Sequence, residues 1–176
     1  MTEHFENLAE KVDRVRQLGH PLTQSSLEII SDFLENLREL KSRDHGIAVF
    51  VTGIIEWLEG LGHLSYALEL ARSVPDDDFA MLDDALGQWG ETHEIFKVLK
   101  AQEFLERGMV YCAVQSAEDI SSPVWRVYVH STISLFFKSI DDNLQAKNFN
   151  CAALEALDCV VEKEVQDLVR IFIPVS

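Results

Sequence analysis

Apolar residues recur along this chain at the three-and-four spacing of helices, and no segment sustains the two-residue alternation of a strand. Phe5, Leu8, Val12 and Val15 form the first stripe, predicting a helix from about residue 3 to about residue 18 that Gly19 and Pro21 stop. Leu27, Ile30, Leu34 and Leu37 form the second, and Ser25 with Glu28 three residues on reads as its capping box. Residues 44–61 are the most apolar stretch. Ile47, Val51, Ile54 and Leu58 take one side of it, and Phe50 and Trp57 widen the apolar arc past a half-turn. A helix apolar nearly all round is a buried one. The uncharged run within it, residues 46–55, is too short for a bilayer, which needs about 20 residues. The expectation is a core helix over about 46–60 with amphipathic helices around it.

The pattern continues with Leu64, Ala67, Leu68 and Ala71 before Pro75, then Phe79, Leu82, Leu86 and Trp89. Thr92 is placed to cap a helix carrying Ile95, Phe96, Leu99 and Phe104, with Gly108 as its C-cap. A shorter helix follows over 109–120. Ser122-Pro123 is a strong helix start, because proline at the first helical position loses no useful N–H. Trp125, Val129, Ile133, Phe136, Ile140 and Leu144 carry that helix to about residue 147. Asn150 then caps a last one with Leu154, Leu157, Val161, Val165, Leu168 and Phe172 as an unbroken stripe. No Asn-Gly or Asp-Gly turn occurs. The fold expected is all-α: a single domain over 1–176, built as a bundle of about seven to nine helices. A faint repeat of turn, apolar residue and alanine appears at Gly62-His63-Leu64 before Ala67, Gly108-Met109 before Ala113, and Asn148-Phe149 before Ala152. Helical-hairpin repeats have this form.

Composition narrows the function classes. The chain has 176 residues, 47% hydrophobic and 26% charged, enough to bury a sizeable core. Its net charge of −15 repels nucleic-acid phosphate and anionic lipid, so neither nucleic acid nor membrane is expected as a partner. Cys112, Cys151 and Cys159 form no CxxC pair. Cys151 and Cys159, about 12 Å apart along one helix, lie too far apart to bridge. Buried or half-buried free thiols in a reducing compartment are expected, and the charged N-terminal stretch lacks a secretory apolar region, so the location expected is cytoplasmic.

Catalytic and metal signatures are wanting. No histidine follows a glutamate at the Glu-x-x-His spacing of di-iron bundles, and His93-Glu94 has Lys97 where a zinc protease motif needs its second histidine. There is no glycine-rich phosphate loop and no nucleophile elbow. Thirty residues separate His63 from His93, and another thirty separate His93 from Pro123. That spacing resembles the distal histidine, proximal histidine and last main helix of a globin. The resemblance implies a haem or similar apolar cofactor in a helical core, with His63 or His93 as the axial ligand if the cofactor is haem. Ser42 and Arg43 stand near the place where a globin carries a phenylalanine.

Asp76, Asp77, Asp78, Asp83, Asp84, Glu91 and Glu94 cluster without an intervening Lys or Arg. Mid-helix like charges such as Asp83 and Asp84 are unfavourable unless a cation or basic surface offsets them. The function expected from this is a non-enzymatic protein-interaction module, whether adaptor, regulator or dedicated chaperone, that binds a partner with a basic surface through these acids and through helical grooves. The alternative is apolar ligand binding in the core. The last stripe suggests a homodimer, with Val161, Val165, Leu168 and Phe172 at its interface.

Overall fold

The computed structural model describes residues 3–18, 21–39, 45–73 and 94–174. Among these residues there are nine α-helices, one terminal 3-10 turn and no strand, so the chain is all-α. The helices are α1 (Glu3–Leu18), α2 (Gln24–Glu39), α3 (His45–Gly60), α4 (Leu64–Ser73), α5 (Glu94–Glu106), α6 (Val110–Glu118), α7 (Pro123–Ser139), α8 (Asn143–Asp158) and α9 (Lys163–Val169), followed by the turn Arg170–Phe172. The chain's contacts group into two compact units. One lies within residues 1–61 and 65–87, the other within 62–64 and 88–176.

In the first unit α1 packs on α2. Leu8, Val12 and Val15 of α1 are buried, as are Ile30, Phe33, Leu34 and Leu37 of α2. Phe33 meets Phe50 of α3 edge to face, 5.8 Å between ring centres. Helix α3 buries Val51, Ile54, Ile55 and Leu58, while Glu56 on its other face is exposed. The expected core helix is present with nearly the bounds its pattern predicts. Helix α2 starts earlier than the Ser25 capping box implies. Thr23 is its cap: its Oγ1 accepts from the Ser26 N–H at 3.2 Å, and its carbonyl accepts from the Leu27 N–H. The Thr23 side chain therefore satisfies the Ser26 amide, which the first turn would leave unpaired.

The second unit is organised around α7, which packs against α5, α6, α8 and α9. Trp125, Val127, Val129, Ile133, His130, Ser131 and Ser134 are buried on it, so almost its whole circumference is covered. Two continuous helices expected from periodicity are broken. Helix α7 ends at Ser139 and not near 147. Asp141 takes the left-handed conformation at φ 61°, its N–H bonds the Lys138 carbonyl, and the Asp142 N–H bonds the Phe137 carbonyl. Asp142 then caps α8 by accepting from the Gln145 N–H at 3.1 Å. Short carboxylate side chains tolerate that backbone and favour caps, so two aspartates stop the helix although Phe136, Ile140 and Leu144 stay in phase across the break. The final helix expected over 150–172 is likewise divided. It starts at Asn143, stops at Asp158, and resumes at Lys163 after Glu162 takes an extended conformation.

The same capping geometry closes α5. Gly108 sits at φ 71°, its N–H bonds the Leu105 carbonyl, and the Met109 N–H bonds the Phe104 carbonyl. Gly62, after α3, sits at φ 79°. Five residues beyond each left-handed residue stands a buried alanine: Ala67 after Gly62, Ala113 after Gly108, Ala146 after Asp141. The turn-and-alanine pattern seen in the sequence is thus present at its first two positions. Its third falls at Asp141 and Ala146, 33 residues beyond Gly108 and Ala113, and not at Asn148, which lies inside α8.

Candidate functional site

Of the acidic cluster, Asp76, Asp77, Asp78, Asp83, Asp84 and Glu91 lie outside the described residues. Glu94 lies within them, at the first turn of α5. Its carboxylate accepts from the N–H groups of Ser121 and Ser122, the latter at 2.7 Å, immediately before α7. One turn on, the Lys97 ammonium donates to the Asp119 carbonyl at 2.7 Å. The start of α5 therefore grips the α6–α7 connection from both sides. A carboxylate there also meets the positive end of the α7 dipole, which side-chain capping by Ser122 itself does not serve.

His63 is half-buried in the turn before α4, and His93 lies outside the described residues. No group of three histidine, cysteine or acidic side chains that could hold a metal occurs among the described residues. His130 of α7, which belongs to no catalytic or metal motif in the sequence, is buried. His130 faces the Phe149 ring at 6.0 Å, and its pKa is lowered, chiefly by burial, with Arg126 adding to the effect and the Ala152 carbonyl and Glu155 opposing it.

The last apolar stripe is split by direction. Val165 is buried, and a Cβ built on Gly62 would come within 3.1 Å of its Cγ1. Phe172 packs edge-on against Tyr128 at 5.0 Å, and Tyr128 in turn accepts from the Gln102 amide at 2.8 Å. Leu168 is half-buried, whereas Val161 is 96% exposed and Ile171 76% exposed. The thiols also depart from expectation. Cys112 is half-buried, but Cys151 of α8 and Cys159, the residue after that helix, are both exposed.

Helix α8 lies close against α7 because small residues meet there. Ala146, Ala153 and Ala156 are buried, and the Ser134 hydroxyl donates to the Ala146 carbonyl at 2.7 Å. Beside this seam opens a cleft of about 440 Å³ lined by Ser134 and Lys138 of α7, by Asn143, Ala146, Lys147, Asn150, Cys151 and Leu154 of α8, and by Pro174. Asn143, Lys147, Asn150 and Leu154 follow helical spacing, so they form one face of α8. No family model, no curated protein and no solved structure matches this chain.

Among the described residues no helix is long and apolar enough to cross a membrane.

Proposed function

We propose that this chain is a non-enzymatic protein-interaction module, an adaptor, regulator or dedicated chaperone that holds another protein in grooves between its helices and presents an acidic surface. The observation that carries this reading is the order of the second unit. Hairpin α5–α6 is followed by hairpin α7–α8, and α7 touches both helices of the hairpin before it. Stacked helical hairpins present extended grooved surfaces and use them chiefly for binding. Large apolar side chains left in water, Tyr111, Leu144 and Ile171 among them, are consistent with surfaces that a partner covers. The net charge of −15 favours a basic partner at the acidic cluster. Three free cysteines, two of them exposed, suit a reducing compartment such as the cytoplasm.

Self-association belongs to the same reading. Val165 and Phe172 are engaged within the second unit, so a homodimer would use Val161, Ile171 and the open side of Leu168. Light scattering at micromolar concentration tests it, and a monomeric mass removes the dimer. The interaction reading itself is tested by affinity capture from native lysate at low and moderate salt. One stoichiometric protein partner is expected, with capture weakening as salt rises. Recovery of none in either condition refutes it.

A further inference from the structure

We infer that the α7–α8 cleft binds a short acidic peptide segment of a partner protein in extended form. This inference rests on the interaction reading and assigns it a second, cationic contact distinct from the acidic cluster. The chain carries 30 acidic and 15 basic side chains, yet the two charged groups lining this cleft are both lysines, Lys138 and Lys147. Both are exposed, and neither ammonium pairs with a carboxylate among the described residues. At physiological salt the screening length is about 8 Å, so an anion in the cleft meets the two lysines together with the carboxylates of Asp141 and Asp142 on the adjoining turn, and the distant remainder of the net charge is screened. Asp142 accepts from the Gln145 N–H as the cap of α8, and neither aspartate pairs with either lysine among the described residues.

The shape points to a peptide and not to a simple ion. From Asn143 to Leu154 the lining face of α8 runs about 16 Å at ~1.5 Å rise per residue, the span of roughly five extended residues. Its chemistry changes along that length. Lys138, Asn143 and Lys147 make one end cationic and polar, while Leu154 makes the other apolar. The Asn150 side chain lines the cleft between them, with its amide oxygen buried. The matching ligand is a segment with carboxylates at one end and an apolar side chain about four residues away. The carboxylates are glutamate and aspartate side chains of that segment.

The test uses the full chain and a dye-labelled hexapeptide of two leucines followed by four glutamates, read by fluorescence anisotropy at fixed salt. Binding is expected in the native protein. It should be at least about tenfold weaker in the double variant K138E/K147E, whose substituted side chains are exposed. An amide-capped copy should bind as well, since it keeps the glutamate side chains; loss of binding on capping overturns the assignment. In native protein the bound peptide should also slow alkylation of Cys151, which lines the cleft, relative to Cys159, which does not. Absence of binding at millimolar peptide, equal affinity in the double variant, or an unchanged Cys151 to Cys159 alkylation ratio overturns the assignment. If a lysate partner is captured equally by native protein and K138E/K147E, the interaction reading stands and the cleft assignment falls.

Discussion

Replacing Glu94 by alanine separates a structural carboxylate from one kept for a partner. In the structure its two oxygens take the N–H groups of Ser121 and Ser122, the two residues before α7. Ser121 is exposed, so water recovers much of that bond once the carboxylate is gone; Ser122 is half-buried and recovers less. Losing a helix N-cap typically costs about 0.5–2 kcal/mol, and a hydrogen bond to a charged group contributes about 1.5–3 kcal/mol when water is excluded. With one of the two bonds open to solvent, about 1–2 kcal/mol is expected for E94A. A loss of 1 kcal/mol lowers Tm by about 2–4 °C in a chain of this size, so the melting temperature should fall by about 2–8 °C. Glu94→Gln keeps one good acceptor and loses the charge, and should fall about half as far. Differential scanning calorimetry measures both, and hydrogen exchange should quicken at the first amides of α7 before the rest of that helix. If E94A melts like the native protein, with α7 exchange unchanged, the clamp is not a source of stability. A variant that kept its stability and lost its partner would return Glu94 to the acidic binding surface.

Other substitutions test the remaining turns and the seam. Gly62→Ala should cost more than Gly108→Ala in urea midpoint: both meet the left-handed penalty of about 1–2 kcal/mol, but a Cβ at Gly62 also presses on Val165, while at Gly108 it meets nothing within 4 Å. Asp141→Gly should leave stability unchanged or raise it by up to about 1 kcal/mol, since φ 61° is free to glycine, and a clear loss would show that the aspartate side chain itself holds the turn. Ala153→Leu should destabilise the α7–α8 hairpin by about 1–3 kcal/mol through overpacking of a fully buried position, again read from the urea midpoint. His130 predicts an acid-side slope. Its folded pKa lies below the usual 6.5, so the unfolded chain takes up the proton first, and this contribution to stability is complete above about pH 6.5 and declines as pH falls below it. Tm measured from pH 7.5 to 5.5 should drop in native protein and drop less in H130Q; equal slopes would contradict the assignment.

How much of this was legible in advance depended on which force decided each feature. Burial was readable because it follows a period: Leu8, Val12, Val15, Ile30, Leu34, Leu37, Val51, Ile54 and Leu58 were all marked by spacing, and all are buried. Helix ends were less so. At residues 140–142 and 159–162 the apolar phase runs on through the break, and capping decides the ends. Asp141-Asp142-Asn143 carries three residues that favour turns and caps, a signal that could have ended α7 at its observed place. At Cys159 to Glu162 the only local cue is a pair of β-branched valines, and the break follows from tertiary packing: Val160 and Val165 turn inward while Val161 turns out.

The cleft was not legible, and the reason is geometric. Lys138 belongs to one expected helix and Asn150 to the next, but their meeting depends on the chain reversing at Asp141, which the periodicity concealed. Their closeness then depends on alanine and serine at Ser134, Ala146 and Ala153, residues that look featureless in a one-dimensional reading. Small residues let two helix backbones approach, and longer side chains at the margins of the seam, here Lys138, Lys147 and Leu154, must then lean outward and enclose space beside it. In α7–α8 the residues that make a surface available are the least conspicuous ones, and the charges that give it character carry meaning only once the reversal has placed them together.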